Sequence, residues 1–203
     1  MNEYRLKRFF DFILVSFALV VSVPLWVVFA LVIKIEDRGP IFFVQDRWGK
    51  GKMKFPVYKF RTMLPNAIER FGNIQASAHD PRITKVGRLL RATSLDEMPQ
   101  LLSILFGHMS WVGPRALPID EIQSRESSEL RDEQIPGFDL RMQMRPGLTG
   151  IAQVYAHRDV PRRHKFKYDR IYLNNQSLWL DIRLIVLSIL FTISARWERR
   201  HNK

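Results

Sequence analysis

The longest apolar stretch of this chain lies close to its N-terminus. The 22 residues from position 12 to position 33 carry no charged side chain, and as a straight helix they would be roughly 33 Å long, enough to cross a bilayer. The stretch is too long for the core of a signal peptide and lacks a small-residue cleavage site, so we expect it to be retained. Pro24, near its centre, has no backbone N–H and predicts a bend in the helix.

Basic residues on both sides of this stretch leave its topology open. Those before it are Arg5, Lys7 and Arg8, and those after it are Lys34, Arg38, Arg47, Lys50, Lys52 and Lys54. Positive residues favour the cytoplasmic side, so a hairpin broken at Pro24 that returns to the same face would satisfy both flanks. Proline-kinked helices that cross the membrane are common, however, and the residues alone favour a crossing helix.

A second apolar stretch, at residues 178–193, is interrupted by Asp181 and Arg183. Its apolar positions recur every three or four residues and tryptophans stand near both ends: Leu180, Leu184, Leu187 and Phe191, with Trp179 and Trp197. This spacing is typical of a helix that lies in the membrane interface with its tryptophans at headgroup level. An ordinary helix that packs against a core fits the same pattern.

The residues between these two stretches predict short strands and helices. Residues 41–44 and 55–60 predict a hairpin that turns around Gly49 and Gly51. A helix is predicted to begin at Leu95 and to end at Gly107, and the polar residues 118–134 predict a solvated segment. The fold class is therefore expected to be α+β and mainly helical.

The composition indicates the kind of partner. The 203 residues include 32 Lys and Arg against 20 Asp and Glu, a formal net charge of +12, so we expect nucleic acid, anionic lipid headgroups or phosphorylated substrates. The basic run at residues 158–170 would favour anionic lipid beside an interfacial helix. Cysteine is absent, which excludes disulfides, thiol catalysis and thiolate metal sites. The histidines show no i,i+4 pair, so a histidine metal site is not expected.

Two adjacent carboxylates, Asp96 and Glu97, stand where the predicted helix begins. Arg88 and Arg91 precede them, and Arg115 follows. A carboxylate among cations at the positive end of a helix is suited to phosphate chemistry. The cations and the free backbone N–H groups hold the anion while the carboxylate attacks or binds metal.

The same residues allow a purely structural interpretation. Ser94 and Glu97 have the spacing of a capping box, in which Ser94 accepts from the Glu97 N–H and Glu97 reaches back. The two interpretations are compatible, and these residues do not decide between them. Lys59 and Arg61 pose a similar choice, because in a strand both would lie on one face and could hold a diphosphate or simply face solvent.

Motifs in a fixed order run along nearly the whole chain. They are Lys7-Arg8 and Asp11; Gly39-Pro40-Ile41-Phe42-Phe43 with Gln45, Arg47 and Gly49; Lys59-Phe60-Arg61-Thr62-Met63; Val86-Gly87-Arg88-Leu89-Leu90-Arg91; Ser94-Leu95-Asp96-Glu97-Met98-Pro99-Gln100-Leu101; Gly113-Pro114-Arg115; Arg145-Pro146-Gly147-Leu148-Thr149-Gly150; and Asp169-x-x-Tyr172 with Ser177 and Asp181. In order and spacing they resemble the bacterial sugar transferase family, the monotopic phosphoglycosyl transferases.

The resemblance implies an enzyme that moves a phospho-sugar from a UDP-sugar to undecaprenyl phosphate, with release of UMP and a covalent aspartyl-phosphosugar intermediate. It implies a site at the cytoplasmic face of the inner membrane, next to anionic lipids. It also favours a re-entrant helix broken at Pro24 over a crossing helix. We therefore expect a membrane hairpin at residues 1–36 and a small cytosolic domain with interfacial amphipathic helices at residues 37–203. The sequence is compatible with a homodimer and names no sugar.

The resemblance also assigns roles to individual residues. Asp96 would be the nucleophile and contact Mg²⁺, which typically binds through one or two carboxylates and substrate oxygens. Glu97 would position the metal or assist the lipid phosphate, and Arg91 would bind that phosphate. The other candidates for substrate or phosphate binding are Lys59, Arg61, Arg88, Arg115, Arg145 and Asp169. Of these, we expect Lys59, Arg115 and Arg145 at the nucleotide diphosphate.

Three positions depart from the family pattern. His108 replaces the usual Asp, Ala116 replaces the second proline of Pro-Arg-Pro, and Val23 replaces the Ser before Pro24. None of them removes the carboxylate pair. The first two are expected to alter substrate choice or local loop geometry.

Three other functions were considered. A membrane-tethered nucleic-acid binder would also be basic, but the cations are dispersed among acidic residues and no nucleic-acid-reading module is recognisable, so no nucleic acid partner is expected. A non-catalytic membrane scaffold would use the carboxylates only as helix caps. An ordinary glycosyltransferase would transfer the sugar alone and release UDP, but the chain shows no sign of its usual nucleotide-binding fold.

Overall fold

The computed structural model describes residues 3–71, 80–119, 131–156 and 160–194, and it combines helices and sheets in a mainly helical fold, as predicted. The helices are α1 (Lys7–Asp37), α2 (Ala67–Phe71), α3 (Lys85–Thr93), α4 (Leu101–Leu105), α5 (Phe138–Arg141), α6 (Ile151–Tyr155), α7 (Arg162–Asn175) and α8 (Leu178–Ile193). The strands are β1 (Phe42–Trp48), β2 (Lys54–Phe60), β3 (Ser110–Val112) and β4 (Gly147–Thr149). Short 3-10 helices span Lys50–Lys52, Leu95–Gln100 and Asp132–Gln134.

Helix α1 is long and apolar enough to cross a membrane, and it has two different faces. One face packs on the rest of the domain from Val15 to Ile33, both of which are buried. The opposite face exposes large apolar side chains, with Val20 76% and Ile35 80% accessible. The helix is a single element that includes Pro24, so the predicted break at this residue is not confirmed.

The hairpin formed by β1 and β2 confirms the hairpin predicted from residues 41–44 and 55–60. The strands are antiparallel, with Phe43 opposite Lys59 and Arg47 opposite Phe55. Because cross-strand partners share a face of a sheet, Lys59 lies on the same side as Phe43 and Arg47. The turn between the strands contains Gly51 with a φ of 66°, a conformation that glycine adopts without strain.

A second sheet, the parallel pair β3 and β4, was not predicted from the sequence. Gly147 pairs with Ser110 and Thr149 with Val112. The two backbones approach so closely that a Cβ on Gly147 would lie 2.0 Å from the Gly113 nitrogen. Strands of three residues are too short to produce a recognisable alternation, so tertiary contacts define them.

The segment around the two carboxylates differs from the single helix that was predicted. Helix α3 ends at Ser94, whose φ of 55° is left-handed, and a 3-10 helix follows before α4 begins at Leu101. Pro99 lies inside this 3-10 helix; it has no N–H to donate and so disfavours a regular α-helix here. The predicted end at Gly107 agrees with its φ of 86°.

Helix α8 has the predicted bounds, with one face packed in the core and the other exposed; its place in the membrane interface stays a prediction. Leu184 is buried in the core, while Trp179 and Ile193 are 75% and 77% accessible on the other face. The interrupting Asp181 is buried and accepts hydrogen bonds from Lys7 at 2.6 Å and from Tyr172 at 2.6 Å. This pairing ties α8 to the start of α1. Trp197, most of the polar stretch 118–134 and residues 158–159 of the basic run lie outside the described residues.

Candidate active site

Glu97 is held by two cations from different parts of the chain. The 3-10 helix Leu95–Gln100 packs beside β2, and Lys59 of that strand donates to Glu97 Oε1 at 2.5 Å. Arg115, in the loop after β3, donates from Nη2 to the same oxygen at 2.8 Å. The side chains of Lys59 and Glu97 are each only 14% exposed, whereas Arg115 is 46% exposed. Glu97 therefore holds Lys59 and Arg115 close to each other.

These contacts show that the capping-box interpretation of Ser94 and Glu97 is wrong. Ser94 makes no side-chain cap to the 3-10 helix, and its left-handed backbone does not suit an N-cap residue. The two residues are linked through the backbone instead, where the Glu97 N–H donates to the Ser94 carbonyl at 3.2 Å. The Glu97 carboxylate is bound to the cations described above.

Asp96 differs from its neighbour because its carboxylate accepts no hydrogen bond from the described part of the chain. Burial raises the pKa of Asp96 to about 6, and the charge of Glu97 adds to this effect, while Lys59, Arg91 and Arg115 act against it. Burial acts to raise the pKa of Glu97 too, but Arg115 and Lys59 outweigh it and hold that pKa well below its usual range. Near neutral pH, the site thus contains one carboxylate fixed by cations and one with unused lone pairs.

This arrangement brings Asp96, Glu97, Lys59 and Arg115 into one cluster. Arg91, in the last turn of α3, is close enough to favour the ionised form of Asp96. Arg88, on the same helix, is exposed. Its proposed contact with a phosphate stays a prediction.

Three other predicted residues have partners elsewhere. Arg61 forms an ion pair with Asp37 and donates to the carbonyl oxygens of Pro40 and Met63, which closes the turn after α1. Arg145 pairs with Glu3, and Asp169 lies 3.2 Å from Arg141 Nε. The substrate contacts predicted for Arg61, Arg145 and Asp169 remain predictions.

The structure adds Arg47 to the surroundings of the cluster, although no role in the site was predicted for it. Arg47 is 7% exposed. Burial is the main cause that lowers the pKa of Lys59, and the charge of Arg47 lowers it further. Arg47 Nη1 donates to the Ala116 carbonyl at 2.6 Å. Residues 43, 45 and 47 alternate along β1 and share one face of the hairpin with residue 59. This alternation is the sequence signal that could have placed Arg47 beside Lys59.

A magnesium ion fits this site through Asp96. Among the described residues there is no group of three or more His, Cys, Asp or Glu side chains that could hold a metal by themselves. Mg²⁺ does not require such a group, because it usually binds one or two carboxylates and completes its shell with water and substrate phosphates. The unused lone pairs of Asp96 suit this role better than Glu97 Oε1, which already accepts from two cations.

The model of the family described as bacterial sugar transferase matches residues 2–195. The chain belongs to the bacterial sugar transferase family. This confirms the resemblance on which the predicted residue roles depend. The candidate site is therefore that of a transferase.

Several bacterial proteins resemble this chain along most of its length. Exopolysaccharide production protein PSS of Rhizobium leguminosarum bv. phaseoli is 41% identical over 185 residues, which cover 89% of this chain and 91% of that protein. UDP-N-acetylgalactosamine-undecaprenyl-phosphate N-acetylgalactosaminephosphotransferase of Aeromonas hydrophila is 39% identical over 96% of this chain and 45% of its own length. UDP-glucose:undecaprenyl-phosphate glucose-1-phosphate transferase of Klebsiella pneumoniae is 37% identical over 90% and 39%. The chain thus spans less than half the length of the latter two transferases.

Proposed function

We propose that this protein transfers a phospho-sugar from a UDP-sugar to undecaprenyl phosphate and releases UMP. Relatives with two different sugars in their names share this donor class and this acceptor. The observation that carries the proposal is the contrast between the two adjacent carboxylates. Glu97 is bound by Lys59 and Arg115, whereas Asp96 lies beside the same cations and has no hydrogen-bond donor of its own among the described residues.

The proposed reaction has two displacements at one phosphorus atom. An Asp96 oxygen attacks the phosphorus that bears the sugar, the bond from that phosphorus to the bridging oxygen breaks, and UMP leaves with that oxygen. An oxygen of the lipid phosphate then attacks the aspartyl-phosphosugar. The Asp96 carboxylate is released, and the product is the sugar joined to undecaprenyl through a diphosphate.

The residues of the cluster suit these steps because phosphoryl transfer depends mainly on positioning and charge neutralisation. Lys59 and the half-exposed Arg115 neutralise the nucleotide diphosphate, and Arg91 at the end of α3 receives the lipid phosphate. Asp96 would hold Mg²⁺ with Glu97 beside it, and the ion would supply further neutralisation of the diphosphate. With a pKa of about 6, Asp96 is ionised at neutral pH and able to attack.

The proposed location is the cytoplasmic face of the inner membrane, with α1 inserted but not crossing. Lys7 at the start of α1 is bound to Asp181, and Ile33 near its end packs with Phe60. Because α1 touches the same domain near both ends, we propose that both ends lie on one side of the membrane. This supports a re-entrant arrangement, in which the exposed apolar faces of α1 and α8 contact lipid.

Nucleotide release by the purified protein tests the reaction. The protein in nanodiscs receives Mg²⁺, undecaprenyl phosphate and a panel of UDP-sugars, beside the matched Asp96→Asn variant. We expect UMP from at least one donor and none from the variant. Without the lipid acceptor, intact-mass measurement should find one phospho-sugar attached to the wild-type protein. Release of UDP would instead identify transfer of the sugar alone, and a folded protein that releases no nucleotide would favour the scaffold alternative.

A further inference from the structure

The loop that carries Arg115 into the cluster is fixed through its backbone. The Arg115 carbonyl accepts a hydrogen bond from Arg141 Nη2 at 2.5 Å, and the next carbonyl, that of Ala116, accepts from Arg47 Nη1 at 2.6 Å. On the other side, the Gly147 N–H donates to the Pro114 carbonyl at 2.8 Å. Three consecutive carbonyls are therefore held from three different elements.

Arg141 is the more unusual of the two arginines. It lies at the end of α5, is 3% exposed and does not touch either carboxylate of the cluster. Asp169 of α7 lies 3.2 Å from its Nε, and the ring of Phe166 lies 4.4 Å from its guanidinium carbon. Helix α7 thus holds Arg141, and Arg141 holds the Arg115 backbone.

The hydrogen bonding of Arg141 suggests that stability alone does not explain its presence. Its Nη1 is buried without a hydrogen-bond partner in the described part of the chain, and its Nε, although 3.2 Å from Asp169, does not have hydrogen-bond geometry. Buried donors that lack acceptors destabilise a fold. An apolar side chain would avoid this cost, but it could not donate to the Arg115 carbonyl.

We propose that Arg141, held by Asp169, is a positioning residue that directs the Arg115 side chain towards Glu97 and the substrate. The inference rests on the proposed function, since Arg115 is assigned there to the nucleotide diphosphate. If the carbonyl of Arg115 shifts, the guanidinium moves away from Glu97 Oε1. The cleft then loses a correctly placed cation although no residue in contact with substrate has changed. Asp169, predicted at the active site, would then act through Arg141 and not by touching substrate.

A double-mutant cycle in the UMP-release assay tests this role. Arg141→Lys keeps the charge but loses the planar group that reaches both Asp169 and the Arg115 carbonyl. We expect it to lower turnover about 10- to 100-fold, the scale of loss when a reacting group is displaced by about 1 Å. In an Arg115→Ala background the same change should cost less than about twofold, because no side chain remains to be positioned.

A matched control separates positioning from general loss of structure. Arg162→Lys alters another buried arginine, which pairs with Asp132; it keeps the charge that acts on Arg141, so it should leave turnover unchanged. Asp169→Asn is the second variant, used if Arg141→Lys does not fold. It should reproduce the loss and the same dependence on Arg115.

Each possible result supports or overturns the positioning role of Arg141. Equal losses from Arg141→Lys in both backgrounds, or wild-type turnover in this variant, would overturn the inference and leave the proposed function standing. An equal loss in Arg162→Lys would also overturn it, since the effect would then be general. A wild-type protein that releases no UMP from any donor would overturn the proposed function and this inference with it.

Discussion

Replacing Asp96 by asparagine is expected to abolish turnover and, at the same time, to stabilise the fold above neutral pH. Burial raises the pKa of Asp96 from 3.8 to about 6, so the folded protein holds this proton more tightly than the unfolded chain does. Ionised Asp96 therefore costs stability. The cost is absent below about pH 4, grows as the pH rises and is complete above about pH 6. Asparagine has no charge and avoids the cost.

The magnitude follows from the size of the shift. At 1.36 kcal/mol for each unit of pKa, the cost of ionised Asp96 has an upper limit of about 3 kcal/mol near pH 8 and about half of that near pH 5. By accessible area the side chain is partly exposed, so solvent reduces this cost and we expect about 1–2 kcal/mol near pH 8. For a chain of this size, that is a rise in Tm of about 2–8 °C.

Thermal unfolding without divalent metal, near pH 5 and near pH 8, measures this effect. The matched control is Asp80→Asn, because hydrogen bonds from Arg82 lower the pKa of Asp80. Its stabilising effect is present above the ordinary pKa of Asp and is lost as the pH falls, so this control should be destabilised near pH 8. If Asp96→Asn lowered the Tm in the same way, Asp96 would be a structural anion. Retained UMP release in the variant would refute its role as nucleophile.

Three further changes test other parts of the structure. Gly87→Ala would place a Cβ 2.1 Å from the Thr62 carbonyl oxygen, and the displacement of α3 should cost about 1–3 kcal/mol in denaturant unfolding. Asp181→Asn leaves the buried Lys7 charge without its counter-ion, and a loss of about 3–5 kcal/mol is expected in the same measurement. Glu97→Gln keeps an acceptor oxygen but removes the negative charge shared by Lys59 and Arg115, so kcat/KM for the UDP-sugar should fall about 10- to 100-fold, and the Tm should fall too because Lys59 loses its counter-ion.

Elements with long hydrophobic patterns could be predicted from the sequence. Residues 12–33 lie within α1, and residues 178–193 are the bounds of α8, because each pattern repeats over several turns. The break between α3 and the 3-10 helix could not be predicted. It depends on the left-handed backbone of Ser94 and on packing against β2. Ser94 and Glu97 have the spacing of a capping box, but the left-handed backbone of Ser94 and the tertiary contacts of Glu97 exclude one.

The two carboxylates could be predicted, and the family resemblance assigned their roles, but the contacts that distinguish them could not be predicted. Glu97 is bound by cations that lie 38 and 18 residues away in the chain. Arg145 illustrates the same limit, since its partner Glu3 is 142 residues distant. Sequence spacing shows which residue types are present and which elements carry them. It does not show which cation is already occupied by a structural anion.

The packing of α1 keeps this site at a constant position relative to the apolar helix. Ile33 packs in one cluster with Phe60 and Leu90, and the residues next to these two are cations of the site, Lys59 and Arg91. At both places the apolar side chain contacts the membrane helix, while the adjacent cation acts on Asp96. Because close-packed side chains do not slide freely, the cations cannot move far from α1. On the proposed function, the same contacts place a nucleophile for a soluble donor within reach of a phosphate that stays at the membrane surface.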